Sequence, residues 1–241
     1  MLYIVGIGPG GPEDMTFACR AALDAADLIV GYSVYVELIR PLYPNKRTLY
    51  TAMTREVERC RAALDAVYNG ETVAVICSGD SGVYGIAGLI YQLSAEYEQT
   101  IDIEVIPGVT AALSGAAVLG APLTHDFAVI SLSDLLTPWE LIERRLRLAG
   151  EGDFCVALYN PSSVKRADYL AKACDILLER KAPDTLCGMV RNIGREGESS
   201  RLLTLAELRD TPADMFTTVF VGNAQTRNIN GKMVTPRGYE L

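Results

Sequence analysis

Short apolar runs alternate with segments of helical periodicity along the first half of the chain. Residues 2–5, 28–30 and 72–76 have the length and β-branched content of buried strands. Apolar residues at helical spacing follow them, for example over residues 86–97. Residues 101–106 alternate with period two, as an edge strand with one wet face does. Strands that alternate with helices predict a parallel sheet.

The pattern changes at residues 120–126, where Gly120, Pro122 and Asp126 interrupt the alternation. We therefore predict two α/β domains, 1–122 and 123–241. In the second half, the segment from residue 137 to about 149 and residues 163–180 predict helices. Strands of a mixed sheet are predicted over residues 127–132, 154–158, 185–190, 200–205 and 217–221.

A glycine-rich stretch, C-S-G-D-S-G-V-Y-G over residues 77–85, directly follows the strand at 72–76. In an open α/β sheet this is the carboxyl end of a strand, where ligands collect. The glycines let a ligand approach the bare backbone, and Asp80 adds a carboxylate that can accept hydrogen bonds. Two further glycine-marked strand ends, at residues 6–11 and 107–111, favour a binding role over an ordinary turn.

The first of these loops formally matches the dinucleotide fingerprint, with Gly6, Gly8 and Gly11 at the required spacing. In that fingerprint the third glycine opens a helix whose N-terminus receives a pyrophosphate. Here a proline follows, and Glu13 and Asp14 occupy the place of the anion. The loop therefore suits a ligand that carries positive charge or none, and an NAD-linked oxidoreductase is the less favoured alternative.

Composition excludes several classes of protein. The 241 residues are 49% hydrophobic and 22% charged, which is typical of a soluble globular chain, and no apolar run approaches the ~18 residues of a membrane span. The net charge of −8 disfavours nucleic acid as a partner. Six scattered cysteines without a C-x-x-C pair indicate reduced thiols in the cytoplasm and no thiolate metal site. Because residues 1–6 begin a strand, we expect no leader segment.

Together with the glycine loops, residues 5–10, 78–85, 119–127, 131–139 and 235–239 resemble the class III, tetrapyrrole-type S-adenosylmethionine-dependent methyltransferases over the whole chain. The resemblance implies a two-domain tetrapyrrole methyltransferase fold, with a parallel-sheet N-terminal domain, a mixed-sheet C-terminal domain and the cofactor cleft between them. It also implies methylation of a tetrapyrrole at C-17, with ring contraction, in corrin (cobalamin) biosynthesis. A sister methyltransferase of the same family and a non-catalytic binding module are the alternatives.

The resemblance further implies S-adenosyl-L-methionine as cofactor, a precorrin or cobalt-precorrin substrate and a homodimer. Its cofactor contacts correspond to Pro9, Gly79, Asp80, Val83, Thr110, Ala111, Tyr159, Asn160, Val190, Gly222 and Ala224.

A general base is expected because the implied reaction moves protons. His125, the only histidine, is the first candidate, since imidazole titrates nearest neutrality. Asp134, Tyr84 and Ser131 are others, and a buried structural role for His125 stays open. The carboxylates of the substrate require local positive charge in this acidic chain. The candidates are Arg40, Lys46, Arg47, Arg55, Arg191 and Arg195.

Overall fold

The structure is a computed structural model that describes residues 1–163 and 166–240. The chain separates into two compact units, Met1–Thr110 and Ala111–Leu241. The sequence-based prediction instead places a domain boundary after residue 122, so helix α5 (Ala111–Leu119) belongs to the first predicted domain and to the second compact unit. The difference arises because α5 packs on the strands of the second unit. Its small residues permit that close packing: Gly115 lies against the ring of Phe220.

The first unit is built on one five-stranded sheet in which every pair of neighbouring strands is parallel, as predicted. The strand order is β3-β2-β4-β1-β5. A 3₁₀ turn at Pro12–Asp14 precedes the first helix. The strands are β1 (Leu2–Gly6), β2 (Leu28–Tyr32), β3 (Arg47–Thr51), β4 (Val73–Cys77) and β5 (Ile103–Ile106), and the helices are α1 (Phe17–Ala25), α2 (Ser33–Ile39), α3 (Glu56–Tyr68) and α4 (Ala87–Ser94).

Apolar side chains fill both faces of this sheet, which is why its central strands read as continuous apolar runs. One face of the sheet packs with α1 and α2 around Ile29 and Ile76. The other face packs with α3 and α4 around Leu64 and Val75. Because all five strands are parallel, their carboxyl ends meet at one edge of the sheet, and the loops that leave them collect there.

The second unit contains a five-stranded mixed sheet of order β10-β9-β11-β8-β7 and a three-stranded sheet of order β12-β13-β6. Helices α6, α7 and α8 cover one face of the larger sheet, and α5 covers the other. The strands are β6 (Gly120–Ala121), β7 (Phe127–Ser131), β8 (Cys155–Tyr159), β9 (Leu186–Arg191), β10 (Ser199–Thr204), β11 (Thr217–Val221), β12 (Arg227–Ile229) and β13 (Lys232–Val234), and the helices are α6 (Trp139–Glu151), α7 (Tyr169–Leu178) and α8 (Leu205–Arg209).

Several boundaries differ from the prediction for local reasons. Strand β3 was not predicted, because R-T-L-Y-T pairs at the sheet edge without an apolar run. Helix α7 begins at Tyr169 and not at Ser163, and residues 164 and 165 of that prediction lie outside the described residues. Helix α8, with its Thr204–Glu207 capping box, was also missed. In residues 1–163 and 166–240, no helix is long and apolar enough to cross a bilayer.

Candidate functional site

Three strand ends of the first unit meet through bare backbone at Gly6, Gly79 and Gly108, which we call the glycine edge. Gly8 and Gly79 exchange two backbone hydrogen bonds, 3.1 Å from Gly8 N to Gly79 O and 2.7 Å in return. A Cβ on Gly108 would lie 2.2 Å from the carbonyl oxygen of Gly79. Gly79 itself adopts φ of 68°, a conformation that favours glycine. The close approach therefore requires glycine at this edge.

Asp80 fastens two of these loops together. Its Oδ1 accepts hydrogen bonds from the amides of Gly82 (2.8 Å) and Val83 (2.9 Å), and its Oδ2 accepts one from Gly108 (2.9 Å). These bonds use a charged acceptor and are stronger than neutral ones. We expected Asp80 to contact a ligand. In the structure its first role is to hold the loop after β4 against the loop after β5.

Apolar side chains are exposed on the segments that follow the strands of the glycine edge. Phe17, the first residue of α1, is 93% exposed, and Tyr84 is 55% exposed with φ of 53°. Val83 and Val109 are also exposed. Helix α1 begins six residues after Gly11, and the 3₁₀ turn at Pro12–Asp14 lies between them, so α1 does not open directly at Gly11 as the dinucleotide fingerprint requires.

In the second unit, the ends of β7, β8 and β9 meet at a second edge, which we call the Tyr159 edge. Ser131 pairs with Tyr159 in the parallel ladder of β7 and β8, and Val190 lies at the end of β9. The side-chain nitrogen of Asn160 donates to Ser131 Oγ at 2.9 Å. The hydroxyl of Tyr159 accepts from the amide of Ala112 at 2.6 Å, at the start of α5. This edge thus brings together Ala111, Tyr159, Asn160 and Val190, four of the predicted contacts.

Two predicted contacts, Gly222 and Ala224, are not brought to this edge. Strand β11 is antiparallel to β8, with Val221 paired to Val156, so residues after β11 lie where β8 begins. There the amide of Ala224 donates to the carboxylate of Asp153 at 3.0 Å. The sequence predicted strand β11 but not whether it runs parallel or antiparallel to β8. That direction determines at which edge of the sheet Gly222 and Ala224 lie.

His125 also lies away from the Tyr159 edge. It comes two residues before β7 begins, at the end of the sheet opposite to Ser131. The side chain is exposed, so the buried structural role is wrong. The structure does not bring His125 together with Ser131 or Asp134, the other candidate bases in this unit.

Asp134 lies on the loop after β7 and is already engaged. Its Oδ2 accepts a 2.6 Å hydrogen bond from the hydroxyl of Tyr169, and its Oδ1 lies 3.3 Å from Nη1 of Arg166. The Tyr169 bond and then the Arg166 contact outweigh partial desolvation and hold the pKa of the Asp134 carboxyl below its usual range. A lowered pKa weakens a general base. Arg166 also donates to Ser133 Oγ at 2.8 Å. Neither Tyr169 nor Arg166 was identified from the sequence as a partner of Asp134.

Most of the cations predicted to meet substrate carboxylates are engaged with acidic neighbours on the surface. Lys46 instead donates to the carbonyl of Ala26 at 2.7 Å. The structure shows ion pairs for Arg40 with Glu37, Arg47 with Glu71, Arg55 with Glu58 and Arg191 with Asp214. Within the described ranges, no group of three or more histidine, cysteine, aspartate or glutamate side chains could hold a metal ion.

Comparison with known proteins agrees with this architecture. Residues 1–209 match the family model described as tetrapyrrole (corrin/porphyrin) methylases. The chain is 46% identical to a probable cobalt-factor III C(17)-methyltransferase of Salmonella typhimurium, with all of both chains covered. It is 37% identical to a precorrin-3B C(17)-methyltransferase of a Sinorhizobium species, over 99% of this chain and 96% of that one.

A solved structure gives the same answer for the fold. The crystal structure of the methyltransferase CobJ superposes with a TM-score of 0.91 at 36% identity, covering 98% of this chain and 99% of that chain. The parallel sheet, the mixed sheet and the full-length similarity together show that this chain belongs to the tetrapyrrole methylase family.

Proposed function

We propose that this protein transfers the methyl group of S-adenosylmethionine to C-17 of a tetrapyrrole, with ring contraction, in the biosynthesis of cobalamin. The tetrapyrrole and its C-17 position are supported by the full-length similarity to C(17)-methyltransferases. The methyl donor is supported by the glycine edge, where Asp80 holds two bare-backbone loops together beside acidic Glu13 and Asp14. A cationic sulfonium without phosphate suits such an edge, whereas a pyrophosphate does not.

The residues at the glycine edge fit this cofactor. A Cβ at Gly6 or Gly108 would collide with neighbouring backbone, so the loops offer close approach to main-chain donors and acceptors. When bound, S-adenosylmethionine supplies an electrophilic methyl group. The role of the chain is to position the donor and acceptor and to exclude water, which lowers the barrier by several kcal/mol.

The proposed cofactor contacts divide into two groups. Pro9, Gly79 and Val83 belong to the glycine edge, where Asp80 acts by positioning their loops. The second group belongs to the Tyr159 edge and consists of Ala111, Tyr159, Asn160 and Val190. These four residues and Thr110 keep the contact role that the resemblance implies. Gly222 and Ala224 are left out because they lie at the opposite end of the second sheet.

For the proton transfers we keep Tyr84, whose side chain is exposed at the glycine edge. Asp134 is proposed to position Tyr169 and Arg166, and its lowered pKa argues against a role as base. His125 is withdrawn as base, because it lies opposite to the Tyr159 edge.

The cobalt complex is the favoured substrate, because identity is higher to the cobalt-factor III relative (46%) than to the precorrin-3B relative (37%). Assaying the purified protein with S-adenosylmethionine and each tetrapyrrole, side by side, tests this. Turnover of the cobalt complex at a higher kcat/KM is expected. Turnover of the metal-free precorrin alone would contradict the choice of the cobalt complex as substrate. Turnover of neither tetrapyrrole would contradict the proposed reaction.

We also propose a cytoplasmic homodimer. All six cysteines are free and buried, which suits a reducing compartment. A twofold dimer is the commonest oligomer symmetry. A dimeric mass by light scattering at micromolar concentration is expected, and a monomeric mass would contradict the proposal.

A further inference from the structure

Arg59, in the first turns of α3, is a buried cation whose hydrogen bonds are incomplete. The residue is 4% exposed. Its Nη1 donates to Thr51 Oγ1 at 2.6 Å. Its Nε has no hydrogen-bond partner, and among residues 1–163 and 166–240 it is the one buried side-chain nitrogen or oxygen of which this is true.

Within the described part of the chain, the carboxylate paired with this guanidinium is that of Glu56, and the ion pair is long. Glu56 Oε1 lies 3.8 Å from Nη2, too far for a hydrogen bond, and the same oxygen accepts from the amide of Thr54 at 3.3 Å. A guanidinium carries five N–H donors in a planar fork, and burying it without a bidentate partner is costly. Such a fork matches a carboxylate, which can satisfy two of its donors at once.

The position of Arg59 connects it with the ligand-bearing edge of the sheet. Thr51 is the last residue of β3, and Cys77 is the last residue of β4 and directly precedes the glycine-rich loop. The Arg59 guanidinium reaches the first of these strand ends through its hydrogen bond to Thr51, and its positive charge partly offsets the rise in pKa that burial causes in the Cys77 thiol. Arg59 thus lies at the carboxyl edge of the first sheet.

We propose that Arg59 binds a carboxylate of a ligand at this edge. Two sources share this chemistry, namely an acidic substituent of the tetrapyrrole and the methionine carboxylate of the methyl donor. The proposal rests on the proposed function for both sources. Arg59 was not among the cations that the sequence predicted to bind carboxylates. Four of those predicted arginines are exposed and form ion pairs with acidic residues, whereas Arg59 is buried and its Nε has no hydrogen-bond partner.

The exposed residues 52–55 connect Thr51 to α3, and Thr54 among them has φ of 68°, which is strained for a β-branched residue. Because so little of Arg59 is exposed, binding of a carboxylate requires nearby residues to move, and we assign that movement to this exposed segment, which follows Thr51 in the chain.

The test compares Arg59→Met, which keeps the apolar stem and removes the charge, with Arg59→Lys, which keeps the charge without the fork. Dissociation constants are measured calorimetrically for the tetrapyrrole, for S-adenosylhomocysteine and for its decarboxylated analogue. If the tetrapyrrole is the source, Arg59→Met weakens its binding about 10- to 100-fold and leaves S-adenosylhomocysteine unchanged. If the donor is the source, binding of S-adenosylhomocysteine weakens by that factor, and binding of the decarboxylated analogue does not. In either case Arg59→Lys shows an intermediate loss.

Arg61→Gln is the matched control, because Arg61 lies on the same helix but is exposed and paired with Glu96. It is expected to leave every dissociation constant within about twofold. Folded Arg59→Met and Arg59→Lys proteins that both bind the tetrapyrrole and S-adenosylhomocysteine as wild type does would overturn the proposal. These are binding measurements, so they decide the role of Arg59 even if the wild-type protein fails to turn over the tetrapyrrole, which would instead contradict the proposed function.

Discussion

The carboxylate of Asp80 and the amide of Gly108 are joined by a 2.9 Å hydrogen bond, although 28 residues separate them in the chain. The bond joins the loop after β4 to the loop after β5, on either side of β1 in the sheet. The position of the loop after β5 against the loop after β4 therefore depends in part on one carboxylate, and this dependence can be tested directly.

Replacing Asp80 by Asn removes the negative charge shared by three amide donors. We expect about 1–3 kcal/mol lower stability and about tenfold weaker binding of S-adenosylhomocysteine, because the loops separate. Thermal unfolding and calorimetry measure the two effects. Glu104→Gln, an exposed carboxylate change on β5, is the control and should alter neither. Unchanged affinity in Asp80→Asn would remove this loop from the binding site.

Adding a methyl group at Gly108 tests the close approach of the loops. Its Cβ would lie 2.2 Å from the oxygen of Gly79, which is sterically forbidden, so Gly108→Ala should lower both the melting temperature and the affinity for S-adenosylhomocysteine. Gly88→Ala, inside α4, is the matched change, because no described atom outside its chain neighbours and its own helix backbone lies within 4 Å of a Cβ there. It should stabilise the protein by up to about 1 kcal/mol. Wild-type affinity and stability in Gly108→Ala would refute the packing argument.

His125→Asn is expected to leave both turnover and melting temperature close to wild type. The side chain is exposed and lies at the end of the second sheet away from Tyr159, so it neither fills the core nor faces the proposed contacts of the Tyr159 edge. Steady-state kinetics and thermal unfolding provide the readouts. A fall in kcat of about 10²-fold or more would show that His125 is a general acid or base after all.

Asp134 contributes stability that depends on pH. Because its folded pKa is lowered by the bond from Tyr169, the contribution is present above the unfolded pKa of about 3.9 and is lost as the pH falls through the folded pKa. Asp134→Asn should therefore lower the melting temperature at neutral pH, and the gap to wild type should close in acid. Melting curves between about pH 2 and pH 7 check this. A gap that stays constant with pH would show that the loss is steric and not electrostatic.

The parts of the fold with strong local signals were predictable. The central strands read as apolar runs because both faces of the first sheet are buried, and the glycine loops follow them directly. Strand β3 gave no such signal at its exposed edge. The turn between β12 and β13 contains a sequence signal that was not used for the prediction, the dipeptide Asn230-Gly231. Its φ values of 53° and 79° are those that this dipeptide favours in a tight hairpin turn.

The sequence predicts those parts of the site whose residues are close together along the chain, and it does not predict contacts between distant segments. The loop carrying Asp80 was recognisable, but its bond to Gly108 depends on strand order. The edge at which Ala224 lies depends on the direction of β11, which an isolated strand pattern does not contain. Arg59 reads as an ordinary surface cation of a helix, and only the packing beside Thr51 shows that it is buried.

The central claim is that this chain methylates C-17 of a tetrapyrrole. The most direct measurement uses S-adenosylmethionine labelled with carbon-13 in its methyl group, incubated with the purified protein and the cobalt complex, with the product examined by NMR. We predict one new labelled methyl signal on C-17 of a ring-contracted product, absent when S-adenosylmethionine is omitted. A label on another carbon, or none in the tetrapyrrole while S-adenosylmethionine binds, would contradict the account.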